Sequence, residues 1–547
     1  MRFNSIARAS LLSVAVSSVA YAQTANEDAF VESPILIGGA LEGFAVDVDG
    51  DRMIVGAIGD NTFGALAGAA HIYEKSGATW SEVANLAPAN LVANDLFGSS
   101  VAIDGDRVIV GAYLDQSTVQ NGGSASVFER QANGTWLEAG VLVNSDNVFN
   151  DQFGRSVDID GDRALVGCWG RDDKGNASGG AYVFERQAGV WNQVAKITAM
   201  DGQALDQFGI AVDLQGDRCA IGANFEDDKG ADAGAAYIFE RQANGTWRQM
   251  TKLTASDGIP GDEFGYALSL DGDRVVVGCR GHDTGAAPFN TGRVYVYERA
   301  SQASWPEVTF IAPSDVSQKE FGAEVELKGD RMIVGAWVDA LGGVQRGSAY
   351  WFQRQPNNSW MEMAKITASD GLDSDRFGIS IGLSGDRIAI GSYQKDGAGG
   401  LAADSGGTYV VDIGTLLHGD PTISASAGGT HDFILRSPTT PGQLFLFLGS
   451  LSGTSPGLFD PVSAKIVPLN FDAYMSLLLN TSGAGLLQPW FGFLDGNGFG
   501  NAAFVVPAGI NASFVGKTFY HGFITIDLFG TGILSLASNP VAATIVP

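Results

Sequence analysis

Seven copies of the triplet Gly-Asp-Arg divide most of this chain into units of nearly equal length. The copies are separated by intervals of 55 to 57 residues. They are Gly50-Asp51-Arg52, Gly105-Asp106-Arg107, Gly161-Asp162-Arg163, Gly216-Asp217-Arg218, Gly272-Asp273-Arg274, Gly329-Asp330-Arg331 and Gly385-Asp386-Arg387. A period of this length, repeated so regularly, is typical of a solenoid, a propeller or another array of one supersecondary unit.

The fourth unit shows what each period encodes. An alternating segment, Phe208–Leu214, is followed by a turn and a second apolar segment, Arg218–Ala223. A polar loop leads to a third segment, Ala235–Arg241, and Asn244-Gly245 turns the chain into a fourth segment around Trp247. Period-2 alternation indicates strands, and Asn-Gly favours a type I′ hairpin because both residues tolerate positive φ. Four antiparallel strands without an intervening helix predict a propeller blade, and seven units predict seven blades.

The two ends of the array predict how the ring closes. The last unit stops after its third strand, Thr408–Asp412, while the segment Phe30–Ile37 precedes the first unit. Pairing these ends within one blade closes the ring and removes its open edges. The tryptophan of the fourth strand accordingly occurs six times and not seven, at Trp80, Trp136, Trp191, Trp247, Trp305 and Trp360.

A second repeated motif places the units in a known family. Phe-Gly opens six of them, at Phe97, Phe153, Phe208, Phe264, Phe321 and Phe377, and a Gly-Ala-like pair follows each. These units resemble the FG-GAP repeats of integrin α-subunit propellers and their bacterial relatives, over roughly residues 26–415. Repeat 1 departs from the pattern with Glu42-Gly43. The resemblance implies a seven-bladed propeller and a role in adhesion or recognition, because family members of this kind mostly bind proteins or matrix.

Integrin propellers hold calcium in loops of the form D-x-D-x-D-G, which makes calcium the one cofactor to consider. The nearest equivalents in this chain are Asp47, Asp49 and Asp51 in repeat 1 and Asp158, Asp160 and Asp162 in repeat 3. Both sets depart from the pattern, since the glycine comes early and an arginine follows. A tight hairpin turn explains Gly-Asp-Arg without a metal. Two interpretations therefore stay open, a calcium site at these six aspartates or no cofactor at all.

An acidic residue also stands two places before most Phe-Gly pairs. We expect these carboxylates to bind neighbouring backbone or an arginine of the repeated turn, because a role that recurs in every blade is structural. They are Asp95, Asp151, Asp206, Asp262 and Asp375, with Lys319 as the exception.

Charge and cysteine content narrow the choice of partners. The net charge is −28, from 61 acidic and 33 basic residues, which disfavours nucleic acid and anionic membrane surfaces. The three cysteines, Cys168, Cys219 and Cys279, are interpreted as small buried residues that form neither a disulfide nor a metal cluster.

The first 22 residues have the features of an export signal. Arg2 and Arg8 precede the apolar segment Leu11–Ala20, and Ala20-Tyr21-Ala22 is a small-x-small cleavage pattern. The apolar segment is too short to span a bilayer, and no later segment is long and apolar enough. The sequence therefore predicts a signal peptide over residues 1–22 and a secreted or cell-surface protein without a membrane span.

Composition changes near His418, which divides the mature chain into two predicted domains. Residues 23–416 are assigned to the propeller. Residues 417–547 are rich in Gly, Ser, Thr, Leu and Phe, and their short apolar runs are separated by turn residues. This pattern is typical of a β-sandwich, so the fold class is all-β throughout.

No catalytic motif is evident in the sequence. The histidines at 71, 282, 418, 431 and 521 do not form a metal-binding spacing such as H-E-x-x-H, and no Gly-x-Ser-x-Gly elbow has a matching triad. Paired carboxylates for glycoside hydrolysis depend on spatial distance and stay open.

We therefore predict a non-enzymatic scaffold that recognises an extracellular protein or glycan through rim loops that vary between blades. The most variable loops are Asp115–Gly122, Arg171–Ser178, His282–Asn290 and Lys395–Asp404. The alternatives are a secreted hydrolase acting on polysaccharide and a structural component of the envelope or matrix.

Overall fold

The computed structural model describes residues 23–25, 29–32 and 38–412, with gaps at 78, 284–289, 316–318, 342–343, 356 and 398–402, and the strands between 422 and 546. The chain divides into two units, Met1–Ile413 and Gly414–Pro547. Within the described part of the chain, no helix is long and apolar enough to cross a membrane.

The first unit is a β-propeller of seven sheets, each with the strand order of a blade. Blade 1 consists of the strands Glu42–Asp49, Arg52–Ala57, Ala69–Ser76 and Thr79–Leu86, and blade 2 of Ser100–Asp104, Arg107–Ala112, Ser124–Arg130 and Trp136–Leu142. Blade 3 consists of Phe153–Asp160, Arg163–Cys168, Gly180–Gln187 and Val190–Ile197, and blade 4 of Val212–Gln215, Arg218–Ala223, Ala235–Arg241 and Trp247–Leu253. Blade 5 consists of Phe264–Asp271, Arg274–Cys279, Arg293–Glu298 and Glu307–Ile311, and blade 6 of Glu324–Lys328, Arg331–Ala336, Ser348–Arg354 and Trp360–Ile366. Blade 7 consists of Ile381–Ser384, Arg387–Gly391, Thr408–Asp412 and the N-terminal strand Ala29–Val31. A small hairpin, Ala340–Leu341 with Val344–Gln345, lies within blade 6.

The first strands of the blades surround the axis. Each contacts the first strand of the next blade, and Ile381–Ser384 of blade 7 contacts Glu42–Asp49 of blade 1. The second strands lie between neighbouring blades, and in Arg218–Ala223 every residue after the arginine is buried. A strand that is buried on both faces has no solvent side, which explains why these segments are continuously apolar and not alternating.

The ring closes through the N-terminal segment, as the missing seventh tryptophan indicated. Ala29–Val31 pairs antiparallel with Thr408–Asp412 and becomes the outer strand of blade 7. The Phe30 ring lies 4.8 Å from the Tyr409 ring, and Val31 is buried. A preceding strand, Gln23–Ala25, pairs parallel with the fourth strand of blade 6.

The Phe-Gly pairs shape the entry into each blade. Phe208 is fully buried with its ring edge-on to Tyr237, at a centroid distance of 5.4 Å. Gly209 has φ +93°, and a Cβ there would lie 2.3 Å from the carbonyl oxygen of Gly180. The strand of blade 4 begins at Val212 and not at Phe208 as the alternation predicts. In blades 3 and 5, where the equivalent glycine also has positive φ, the first strand does begin at the phenylalanine.

The Asn244-Gly245 hairpin and the Glu42 position of repeat 1 differ from what the sequence predicts. The hairpin at Asn244-Gly245 is not type I′: Gly245 has positive φ, at 84°, but Asn244 is not among the described residues with positive φ. The Asn244 Oδ1 instead accepts hydrogen bonds from the backbone N–H and hydroxyl of Thr246. In repeat 1, the exceptional Glu42 is buried and accepts a 2.5 Å hydrogen bond from the Tyr73 hydroxyl.

The described residues of the second unit are β-strands, and they include the predicted apolar runs. A six-stranded sheet, a three-stranded sheet and a two-stranded hairpin are present. The β-sandwich assignment for this region stays a prediction. The strands are Thr422–Ser424, Gly429–Arg436, Leu444–Ser450, Leu458–Asp460, Lys465–Val467, Leu487–Gln488, Phe491–Phe493, Phe499–Val506, Thr518–Ile526, Leu534–Ala537 and Val541–Val546.

Candidate functional site

The propeller has two faces of different character. In a four-stranded antiparallel blade, the turns between strands 1 and 2 and between strands 3 and 4 lie at one end. We call this end, which carries Gly-Asp-Arg, the turn face. The loops between strands 2 and 3 and the linkers between blades lie at the other end, which we call the loop face.

A closed ring of arginine contacts occupies the turn face. Arg52 donates through Nη1 to the Gly105 carbonyl oxygen at 2.9 Å and to the Asp106 carboxylate at 2.8 Å. The same two contacts recur at every blade boundary, so the repeated triplet is a connector between blades. The seven ion pairs are Arg52–Asp106, Arg107–Asp162, Arg163–Asp217, Arg218–Asp273, Arg274–Asp330, Arg331–Asp386 and Arg387–Asp51.

The candidate calcium ligands serve these contacts between blades. In blade 1, Asp49 Oδ2 accepts a hydrogen bond from Gly105 N at 2.9 Å, Asp51 pairs with Arg387, and Asp47 lines the axis. Blade 3 repeats this division. Asp160 accepts a hydrogen bond from Gly216 N, Asp162 pairs with Arg107, and Asp158 lines the axis. The three carboxylates of each set therefore serve separate contacts and are not gathered at one centre. Calcium at these turns stays a prediction to which this geometry adds no support.

Acidic side chains from four blades line the axial channel. Each stands at the same position of a first strand, three residues before the glycine of Gly-Asp-Arg. These acids are Asp47, Asp158, Asp213 and Glu326. Burial raises the pKa of Asp47 to about 6, against the opposing effect of a backbone hydrogen bond from Ile103. Burial and the neighbouring Asp213 carboxylate raise the pKa of Asp158. Lys328 lies close enough to Asp47, Asp158, Asp213 and Glu326 for them to raise its own pKa.

Three of these channel acids have a structural role between blades. Asp47 Oδ2 accepts a hydrogen bond from the Ile103 N–H of blade 2 at 2.8 Å. Asp158 and Asp213 accept equivalent bonds from Leu214 and Leu270, at 2.6 and 2.8 Å. The carboxylates thus satisfy backbone donors of the adjacent first strand.

The acids before Phe-Gly bind backbone, which confirms the first of the two expected roles. Asp95 Oδ2 accepts a hydrogen bond from Val92 N at 2.8 Å. Lys319, the exception, is buried and pairs with Asp315 at 2.8 Å and Asp339 at 2.7 Å. The contact of Asp95, a carboxylate oxygen that accepts from the backbone N–H three residues earlier, recurs at Asp151, Asp206, Asp262 and Asp375.

The loop face is held by a second ring of contacts. In every blade, the loop between strands 2 and 3 accepts a backbone hydrogen bond from the linker that follows. The predicted variable loops Asp115–Gly122 and Arg171–Ser178 lie on this face, as do the described ends of the other two, at 282–283 with 290 and at 395–397 with 403–404. Residues 284–289 and 398–402 of those two loops lie outside the described residues. The seven bonds, donor first, are Asn94–Ala65, Asn150–Gln120, Leu205–Asn176, Gly261–Ala231, Lys319–Asn290, Ser374–Gln345 and Gly39–Ala403.

Large apolar side chains are exposed on the loop face. Phe149 and Met200, in the linkers on either side of blade 3, are 63% and 77% exposed. The exposed large apolar residues that lie outside the loop face, among those described, belong to outer fourth strands, such as Leu137 in blade 2. Those on the loop face are Phe63, Leu66, Val92, Val148, Phe149, Met200, Leu205, Ile259 and Leu372.

Two clusters within the described residues have metal-ligating atoms close together. In the first, Asp201, Glu226 and Asp228 surround the Lys252 ammonium, which lies 2.8 Å from both Asp201 and Glu226. A lysine thus already supplies the cation at this position.

The second cluster consists of Asp262, Cys279 and His282, all buried. Cys279 and His282 are separated by two residues, and this C-x-x-H spacing is the sequence signal for a shared metal-binding position. All three cysteines are buried and free, as predicted.

These features define a closed β-propeller that connects its blades through side chains at one face and through backbone hydrogen bonds between loops and linkers at the other. The chain belongs to the FG-GAP repeat family, whose model matches residues 80–128, 136–184, 191–239, 247–297, 305–352 and 360–411. Each match runs from the fourth strand of one blade through the third strand of the next. The chain matches no curated protein.

Among solved structures, the chain is similar to the β-propeller domain of the Trilobed protease from Pyrococcus furiosus. The two share 9% sequence identity with a TM-score of 0.36, over 63% of this chain and 90% of that chain.

Proposed function

We propose that this protein is a secreted binding scaffold that holds a protein ligand on the loop face of its propeller, around blade 3. The difference between the two faces carries the proposal. The turn face is occupied by contacts between blades, whereas the loop face presents exposed apolar side chains on an ordered backbone.

Phe149 and Met200 are the proposed anchors. Exposed apolar side chains mark interaction surfaces on soluble proteins, and each anchor has an exposed apolar neighbour in its own linker, Val148 for Phe149 and Leu205 for Met200. Their linkers are held by the Asn150–Gln120 and Leu205–Asn176 hydrogen bonds, at 3.2 and 2.8 Å. A surface that is ordered before binding loses little conformational entropy when a partner docks.

The charge of the chain favours a particular kind of partner. At −28, the protein attracts positively charged surfaces and accelerates their association. Apolar anchors within such a field fit a protein partner with a basic rim and an apolar centre. The export signal expected over residues 1–22 supports an extracellular partner.

The test measures saturable binding of purified residues 23–547 to protein and glycan fractions of the cell envelope. Phe149→Ser and Met200→Ser remove the proposed anchors. Leu137→Ser is the matched control, since Leu137 is 56% exposed but lies on an outer fourth strand. We expect both anchor variants to weaken protein binding at least about tenfold, the range of an interface anchor, while the control binds like the unchanged protein.

Each other outcome assigns a different function. Equal loss in the Leu137→Ser variant would overturn the loop-face site. Binding that a free glycan abolishes would establish a glycan-binding protein, and release of cleaved sugar would establish a hydrolase. Absence of binding to every fraction would favour a structural component of the envelope or matrix.

A further inference from the structure

Blade 5 brings three side chains of different chemistry together beneath its loop face. Asp262 comes from the linker before the blade, Cys279 ends the second strand, and His282 begins the following loop. Their ligating atoms all lie within 4.8 Å of one another, and His282 Nδ1 is 3.2 Å from Asp262 Oδ2. Atoms that share one zinc ion lie about 3–4 Å apart, since each is about 2.0–2.3 Å from the metal.

The Asp262 carboxylate has an unused oxygen at this position. Its Oδ2 accepts a hydrogen bond from Ile259 N at 2.9 Å and faces His282. Its Oδ1 is buried and has no hydrogen-bond partner within the described part of the chain, a feature that it shares with the equivalent Asp95 and Asp151, so only the neighbouring Cys279 and His282 distinguish blade 5. A buried carboxylate oxygen without a partner costs free energy that a bound cation would recover.

Blade 3 contains the same framework with one substitution. Cys168 donates from Sγ to the Asp151 carbonyl oxygen at 3.3 Å, as Cys279 does to that of Asp262. Arg171 stands where blade 5 has His282, and its Nη1 lies 3.2 Å from Asp151 Oδ2. In blade 3 a guanidinium, which cannot ligate a metal, neutralises the aspartate. The five other repeats have Ala or Ser at the cysteine position, so only blade 5 combines all three ligand types.

We propose that Asp262, Cys279 and His282 form a Zn²⁺ site that ties the linker of blade 5 to its strand 2–3 loop. Imidazole nitrogen, thiolate sulfur and carboxylate oxygen are the ligands that zinc takes in proteins, and three protein ligands leave a fourth tetrahedral position. Oxygen-only ligands would favour calcium, but the sulfur and nitrogen here do not. The site replaces the expectation that the cysteines hold no metal.

The charges around the cluster are compatible with a divalent cation. On binding, the Cys279 thiol releases its proton, so thiolate and Asp262 carboxylate together balance the metal. The nearby cation Arg293 is paired with Asp257 through Nη1 at 2.5 Å. Tyr295 donates its hydroxyl to the same Asp257 at 2.6 Å, which leaves Asp262 and His282 to face each other.

The test titrates reduced, metal-free full-length protein with Co²⁺ as a spectroscopic probe, and then displaces it with Zn²⁺. A thiolate–cobalt charge-transfer band at one ion per chain is expected, together with a higher melting temperature in Zn²⁺. Cys279→Ser and His282→Arg should each weaken binding at least about 100-fold, since each removes a direct ligand and even outer-shell changes cost 10–100-fold. His282→Arg also reproduces the ligand set of blade 3, so it is expected to fold.

Cys168→Ser is the matched control, because Cys168 occupies the same position without a histidine. It should keep the band, the stoichiometry and the melting shift of the unchanged protein. The proposal is overturned if the unchanged protein gives no band, if the band survives in Cys279→Ser or His282→Arg, or if Cys168→Ser abolishes it.

Discussion

Arg387 of the last blade donates from Nη1 to the carboxylate of Asp51 in the first, at 3.0 Å and across 336 positions of the sequence. Arg52 and Asp106, in neighbouring repeats, make the same contact at 2.8 Å. The blade boundary that closes the ring is therefore built like the boundaries within it. The repeated triplet supplies both partners at every boundary, including the one that its linear order does not predict.

The arginine of this pair should matter far more than the aspartate. Arg387 also pairs with Asp412 at 3.0 Å, and its guanidinium lies 5.2 Å from the centre of the Trp80 ring. We expect Arg387→Ala to lower the free energy of unfolding by about 2–3 kcal/mol, because the Gly50 carbonyl oxygen loses a charged donor and the packing on Trp80 is lost. Asp412 loses one of its cations but keeps Lys75, at 3.0 Å. Asp51 is 73% exposed, so Asp51→Ala should cost at most about 1 kcal/mol. Denaturant unfolding of both variants checks this order, and equal losses would contradict it.

The N-terminal strand should be essential to the stability of blade 7. Val31 is buried in this strand, and Val31→Ser should lower the free energy of unfolding by about 2 kcal/mol through lost apolar burial. Val83, 46% exposed on the outer strand of blade 1, is the control, and Val83→Ser should stay within about 0.5 kcal/mol. Deletion of residues 24–38 should lower the melting temperature far more than either substitution. An unchanged melting temperature after deletion would disprove closure through this strand.

Glycine at the Phe-Gly position should resist substitution for two separate reasons. Gly209 and Gly216 both have positive φ, but only at Gly209 would a Cβ overlap a backbone atom. Gly216→Ala should therefore cost about 1–2 kcal/mol, the strain of a left-handed alanine. Gly209→Ala should cost about 3–5 kcal/mol, because steric overlap adds to the same strain. Thermal unfolding of the two variants separates these contributions, and similar losses would show that the backbone moves to relieve the overlap.

The channel acids should make stability fall as pH rises. Burial raises the pKa of Asp47 to about 6 from its ordinary value of 3.8, so the folded protein holds this proton more tightly than the unfolded chain. Stability from this group is present below about pH 4 and is lost as pH rises through 6. Asp47→Asn keeps an oxygen for the Ile103 N–H without the charge, but its amide nitrogen cannot accept the hydrogen bond that Val48 N donates to Asp47 Oδ1 at 2.7 Å, so the pH dependence of the difference is the readout. It should gain stability relative to the unchanged protein between pH 4 and 7, as measured by denaturant unfolding at several pH values. A difference that does not change with pH would refute the raised pKa.

Segments with one environment along their whole length were predictable from sequence. The second strand Arg218–Ala223 has the predicted bounds, because it is buried on both sides and reads as one apolar run. The first strand of the same blade was not predicted correctly, since it begins at Val212, whereas the same alternating pattern begins a strand at Phe153 in blade 3 and at Phe264 in blade 5. The calcium interpretation illustrates the same limit. Asp49 and Asp51 are two residues apart in sequence, but they contact Gly105 and Arg387 in opposite neighbouring blades.

The sequence alone determined the number of blades, their order and the need for an N-terminal strand, because these follow from a period and from a missing element. Only the tertiary structure decided which side chains meet. Contacts between blades join residues about one period apart in sequence. Which residues meet depends on where each blade lies around the axis. Asp262, Cys279 and His282 meet at a single blade, because a linker, a strand end and a loop converge at one end of blade 5. Local sequence carries the ligand types but not their separation in space.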